Sequence, residues 1–156
     1  MGPDDILKLL AVGEDADPTP DDKRVAALQA LSRRMGTPPP SRDAPVREVV
    51  SRLGDNWSPL ILKVLATGEY RHATLKRVVG KLSYEGEISQ RMLTLRLKAL
   101  ERDGFVARDV HPSVPPRVTY RLTPLGRDLE AELDRLLYWI ETKAADIEAA
   151  RNRFRS

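Results

Sequence analysis

The chain has 156 residues, 41% of them apolar and 31% charged, with a net charge of +3 and no cysteine. That balance describes one globular domain with appendages, and the missing cysteines remove disulfides, thiolate metal sites and thiol redox sensing together. No apolar run approaches the ~20 residues a bilayer needs. The start, MGPDDILKLL, lacks the basic opening and cleavage region of a secretory signal, so a cytoplasmic location without a membrane partner is expected.

Residues 1–45 read as a helical arm and linker. A short helix over residues 3–12 is predicted to stop at Gly13, followed by the polar break EDADP. A second helix should start with Thr19 as N-cap, Pro20 at its first position and Asp21 and Asp22 in its first turn. Arg33 and Arg34 close it, Gly36 stops it, and Val25, Leu28, Leu31 and Met35 line one face. The stretch TPPPSRDAP (37–45) is an extended linker, because successive prolines cannot continue a helix.

Residues 46–125 read as a DNA-binding domain. A helix is predicted over residues 46–53, then a break at Gly54-Asp55-Asn56. Ser58 should cap the next helix, with Pro59 at its first position, Leu60, Ile61, Val64 and Leu65 inward, and Trp57 wedged into the core. A short helix follows over residues 73–80 with Leu75, Val78 and Val79 inward. Ser89 then caps a helix running to Asp103, with Gly104 beyond its end. At 100° per residue, Met92, Leu93, Leu97 and Leu100 fall inward, while Gln90, Arg91, Thr94 and Lys98 share the outer side. Glutamine suits adenine, arginine suits guanine or phosphate, and threonine suits base edges, so this ridge fits a major groove. Leu95 borders it and could meet a thymine methyl, and Arg96, on the inner side, reads as an internal ion-pair partner.

Two runs with period-2 alternation come next. Val106, Arg108 and Val110 alternate with Phe105, Ala107 and Asp109; Val118, Tyr120 and Leu122 alternate with Arg117, Thr119 and Arg121. HPSVPP joins them as a stiff tip, which places Arg117 where it can meet phosphate or the minor groove; Arg108 supports it, and His111 reads as a solvent-exposed loop residue. Residues 71–121 carry eleven basic and five acidic side chains, whereas every other part of the chain is neutral or slightly acidic. A basic face confined to one segment is the footprint of a phosphate-backbone contact.

Residues 126–156 read as a dimerisation helix, opened by Thr123 and Pro124. Leu125, Leu129, Leu133, Leu136, Ile140, Ala144 and Ile147 recur at three- and four-residue spacing, widened by Leu137 and Tyr138. This stripe projects past what so small a domain can cover. Leu129, Leu133, Leu136 and Ile140 are therefore the expected interface of a two-fold dimer, whose symmetry would match a palindromic site. Packing onto the arm within one chain is the competing account.

The stretches LGDNWSPLILKVLATGEYR, ISQRMLTLRLKALERDGFVAR and PPRVTYRLTPLG resemble the HxlR-type winged helix-turn-helix transcriptional regulators, relatives of MarR-like dimeric repressors, over roughly residues 46–142. The resemblance implies a mainly α fold with a small β-hairpin wing, a homodimer, and operator binding through the helix at 89–103 and the wing. Four features depart from it, one being the 45-residue arm, which is longer than usual. The cysteine many members carry near the start of the domain is absent. His72-Ala73 stands where Phe-Ser is common, and KLSYEGE (81–87) lengthens the turn before the recognition helix.

The expectation is a sequence-specific DNA-binding regulator, most simply a repressor, whose contacts are Ser89, Gln90, Arg91, Thr94, Lys98, Arg108 and Arg117. Its partners would be double-stranded DNA and a second copy, with room for a small-molecule effector near Trp57 and the arm. The alternative is a winged-helix module that binds protein instead. No catalytic, metal-binding or cofactor motif occurs: there is no H-E-x-x-H, Walker loop or G-x-G-x-x-G, and His72 and His111 have no evident partners.

Overall fold

A computed structural model describes residues 2–11, 19–35 and 44–156. The chain divides into two compact units, Met1–Arg52 and Leu53–Ser156. The helix beginning at Pro45 thus falls with the arm, whereas the long C-terminal helix belongs to the same unit as the hairpin.

In the first unit, α1 (Pro3–Leu10) and α2 (Lys23–Arg34) pack on each other, with Ile6 and Val25 buried. The second helix starts later than its proline suggests. Thr19 and Pro20 belong to a turn in which the Asp22 amide donates to the Thr19 carbonyl, and Asp22 is the N-cap, accepting from the Arg24 amide at 2.8 Å. Pro45 opens α3 (Pro45–Leu53) instead of ending a linker. The expected stops at Gly13 and Gly36, the break EDADP and the linker before Ala44 lie outside the described residues.

The second unit runs α4 (Ser58–Leu65), α5 (His72–Leu82), α6 (Gln90–Arg102), β1 (Val106–His111), β2 (Arg117–Leu122) and α7 (Pro124–Arg155). Its core joins Ile61, Leu62 and Leu65 of α4, Leu75 and Val79 of α5, and Leu93, Leu97 and Leu100 of α6, closed by Ile88, Phe105 and Val106. Leu62 is buried where Leu60 was expected, and Trp57 and Val78 are only half-buried. The strands pair antiparallel from Val106↔Leu122 to His111↔Arg117. Tyr70 adds a single bridge to the edge of β2, exchanging both backbone hydrogen bonds with Tyr120 at 2.8 and 3.0 Å.

Asp55, not Ser58, caps α4. Its Oδ1 accepts from the Trp57 and Ser58 amides at 2.8 and 2.6 Å, and its Oδ2 accepts from the Ser58 hydroxyl at 2.6 Å. The same carboxylate pairs with Arg96 of α6 at 3.6 Å, so Arg96 is an internal ion-pair partner, and its buried Nε has no hydrogen-bond acceptor. One aspartate therefore fixes the start of α4 and braces α6. Asp55→Ala should cost about 2–3 kcal/mol, combining a lost cap with a stranded, partly buried guanidinium. Urea unfolding measures this, and a loss under about 0.5 kcal/mol would show the brace to be idle.

The end of α6 follows its sequence. Gly104 adopts φ +81°, and the Phe105 amide reaches back to the Leu100 carbonyl at 2.9 Å while Gly104 donates to Glu101 at 3.0 Å. Thr123 then ties the hairpin to α7. Its hydroxyl donates to the Gly104 carbonyl and accepts from the Gly126 amide, and its own amide donates to the Phe105 carbonyl at 3.0 Å. Further along, Leu133 packs inward, and Lys63 of α4 clasps Glu130 and Asp134 of α7. The two carboxylates, Asp134 foremost, hold the Lys63 ammonium above its ordinary pKa.

Candidate nucleic-acid interface

The Ser89 hydroxyl accepts from the Met92 amide at 3.0 Å, which starts α6 where the sequence indicates. The helix buries Leu93, Leu97 and Leu100 and turns Gln90, Arg91, Leu95 and Lys98 to solvent. Together with Thr94 these four line one open depression, so the predicted ridge exists as a contiguous surface. Thr94 differs from its neighbours. It is half-buried, and its hydroxyl donates to the Gln90 carbonyl at 2.9 Å and lies 3.0 Å from His72 Nε2.

The hairpin stands beside this helix. Val106, Tyr120 and Leu122 share one face of it and are buried; Arg108 and Val110 continue that face toward the tip and are exposed. On the opposite face Arg121 donates to Asp109 at 2.7 Å, and His111 bonds Thr119 at 3.1 Å. His111 is thus part of β1 and has a partner, contrary to its reading as a loose loop residue. Arg117 opens β2 and is exposed.

Charge pairing separates the cations into two sets. Arg96 and Arg121 are neutralised by Asp55 and Asp109. Arg91, Lys98, Arg108 and Arg117 have no carboxylate partner among the described residues. Leaving these four cations unpaired maintains a positive potential around them that a polyanion can neutralise.

Two groupings of residues were not read from the sequence, although His72, Ala73 and Arg117 were named there singly. Arg71, His72 and Ala73, at the start of α5, share a crevice with Pro115, Pro116, Arg117 and Val118 of the hairpin, so Arg71 and Arg117 face the same space. Lys76, Arg77 and Lys81 line a second depression with Gly80, Gly86 and Glu87. The only signal for them was the basic excess of residues 71–121, which does not say which side chains converge. His72 was read as having no partner. It bonds Thr94 and sits edge-on to Tyr120 of β2, with ring centroids 6.3 Å apart, and burial, followed by the nearby Lys76, pushes its pKa down.

The fold that carries this helix and wing has matches among known proteins. A model described as HxlR-like helix-turn-helix covers residues 52–148. The chain belongs to the HxlR-like helix-turn-helix family. It is similar to the uncharacterized HTH-type transcriptional regulator YtfH of Escherichia coli, 38% identical over 112 residues, covering 72% of this chain and 84% of the relative. Among solved structures it resembles the reduced form of the Bacillus subtilis transcriptional regulator YodB, with 35% identity, TM-score 0.54, and coverage of 63% and 91% of the two chains. It also resembles the redox regulator HypR in its reduced form, with 34% identity, TM-score 0.57, and coverage of 68% and 99%. The chain is accordingly a winged helix-turn-helix transcriptional regulator, in a family of such regulators. HypR has been solved oxidised as well as reduced, and YodB after diamide treatment. The 156 residues here contain no cysteine, so a thiol switch has no residue to act through.

Proposed function

We propose that the protein works as a homodimer on a palindromic operator, with α6 in the major groove and the wing on the neighbouring minor groove or backbone, and that it represses where that operator overlaps a promoter. The observation that carries this reading is the unneutralised ridge of Gln90, Arg91 and Lys98 with Thr94 set into it. Gln90 and Arg91 present bidentate groups for base edges, Lys98, Arg108 and Arg117 serve phosphates, and the Ser89 hydroxyl keeps its hydrogen to donate to the backbone. Arg71, on the crevice it shares with Arg117, extends the phosphate contacts.

Support for the dimer comes from α7. Beyond Leu133 every residue except Ile147 is exposed, including Leu136, Leu137, Tyr138, Trp139 and Ile140. A contiguous apolar patch of this kind marks an interaction surface. Leu129, half-buried, sits at its edge, whereas Leu133, at 4% exposure, belongs to the core of its own chain and leaves the interface set. In this reading residues 126–156 form the dimerisation helix, 46–125 the DNA-binding domain, and 1–45 an arm. None of the described helices is long and apolar enough to cross a membrane.

The test is salt dependence. Operator affinity should fall linearly with salt on logarithmic axes, and Lys98→Ala and Arg117→Ala should each lower that slope by about 1. A module that binds protein instead would show neither effect, and a flat salt profile would overturn the DNA reading.

A further inference from the structure

The half-buried Thr94 is the one member of the ridge whose polar group is already engaged. Its hydroxyl has one hydrogen, and the Gln90 carbonyl, which can only accept, takes it at 2.9 Å. His72 Nε2, 3.0 Å from the same oxygen, must then be the donor, which requires the Nε2–H form of the ring. The ring is held in place by its edge-on contact with Tyr120, and that tyrosine is itself fixed by the double backbone bridge to Tyr70. From the start of α5, His72 therefore reaches both the reading helix, at the Thr94 oxygen, and the wing, at the Tyr120 ring. With its hydrogen given to Gln90 and one of its two acceptor sites taken by His72, the Thr94 hydroxyl keeps a single acceptor site, while its methyl group is wholly uncommitted on the depression it shares with Gln90, Arg91, Leu95 and Lys98.

We infer that His72 is a positioning residue for base recognition: by holding the Thr94 hydroxyl against the helix, it makes Thr94 an apolar reader of a thymine C5-methyl instead of a hydrogen-bonding reader. This rests on α6 entering the major groove, where the thymine methyl is displayed. Exposed Leu95 beside it extends the apolar strip.

The experiment selects a preferred duplex from random DNA with the full chain, then replaces each thymine of one half-site by uracil, which removes only the methyl. The expected result is a loss of about fourfold at one position, the worth of one buried methyl-sized group. Thr94→Ser, which keeps the hydroxyl and loses the methyl, should bind the thymine and uracil duplexes equally. Thr94→Val should retain the fourfold difference. His72→Phe keeps a ring against Tyr120 but removes the donor that fixes the Thr94 hydroxyl against Gln90, so the hydroxyl can turn to a base and the difference should shrink; in the Thr94→Val background, where no hydroxyl can be redirected, it should have no effect. A merely structural role for His72 predicts the same change in both backgrounds and overturns the inference. So does a wild-type protein indifferent to every uracil, or a Thr94→Ser variant that still discriminates. If the wild type selects no sequence at all, the groove-reading proposal fails and this inference with it; a selected site without methyl dependence sinks this inference alone.

Discussion

Changing Leu136 and Ile140 together to glutamate should leave the protein monomeric and lower its operator affinity by roughly a thousandfold, the low end of the gap between specific and non-specific binding. The choice of residues follows from burial. Leu136 and Ile140 are 48% and 40% exposed within one chain, so glutamate at either is solvated in a monomer and α7 keeps its helical propensity. In a dimer the same carboxylates would lie at an apolar interface, where an unpaired charge costs several kcal/mol. A monomer then reads one half-site without the second anchor. Leu133→Glu would not make this test, because that side chain is buried in its own chain and its replacement would unfold the domain. Light scattering and a duplex titration on the same preparation separate the two claims. Intact dimers would refute the interface, and monomers with undiminished affinity would refute the paired half-sites.

Gly126→Ala should destabilise the protein by about 3 kcal/mol, equivalent to roughly 10 °C in Tm. In an open helix the sign would be opposite, since alanine is favoured over glycine by about 1 kcal/mol. Here a Cβ would stand 1.9 Å from the Phe105 carbonyl oxygen. That oxygen cannot retreat easily, because it accepts the Thr123 amide at 3.0 Å, and Thr123 is bonded to both Gly104 and Gly126. The glycine of TPLG is thus needed because a helix backbone lies against the root of the hairpin. Gly80→Ala is the comparison: its Cβ would meet Glu87 at an ordinary 3.5 Å, and it should be neutral or stabilising. Thermal unfolding of the two variants gives the answer, and an equal effect in both would show that close approach is not the cause.

What could be read from the sequence was what depends on near neighbours. Ser89 and Thr123 cap α6 and α7 as expected, Gly104 ends α6 in the left-handed region, and the period-2 runs form the paired strands, because each of these is decided within a few residues. The misreadings involve competition or distance. Asp55 and Asp22 displaced Ser58 and Thr19 as caps, since a carboxylate can accept two amides and a proline nearby does not choose between acceptors. Leu133 and Leu136 sit in one periodic stripe, and only the position of α4 decides which is covered. His72 and Thr94 are 22 residues apart, and Tyr70 and Tyr120 fifty, separations that periodicity cannot span. The outer face of α6 was legible as a surface; that one of its hydroxyls was already taken was not.

The clasp between Lys63 and the two acids of α7 has a consequence for the proposed dimer. It fastens the long helix at its base, beside Leu133, and leaves the remainder as a stiff shaft. If two such shafts join along their free lengths, they act as a calliper whose jaws are set at the hinge, and the protein would accept only a narrow range of gaps between the sequences it grips.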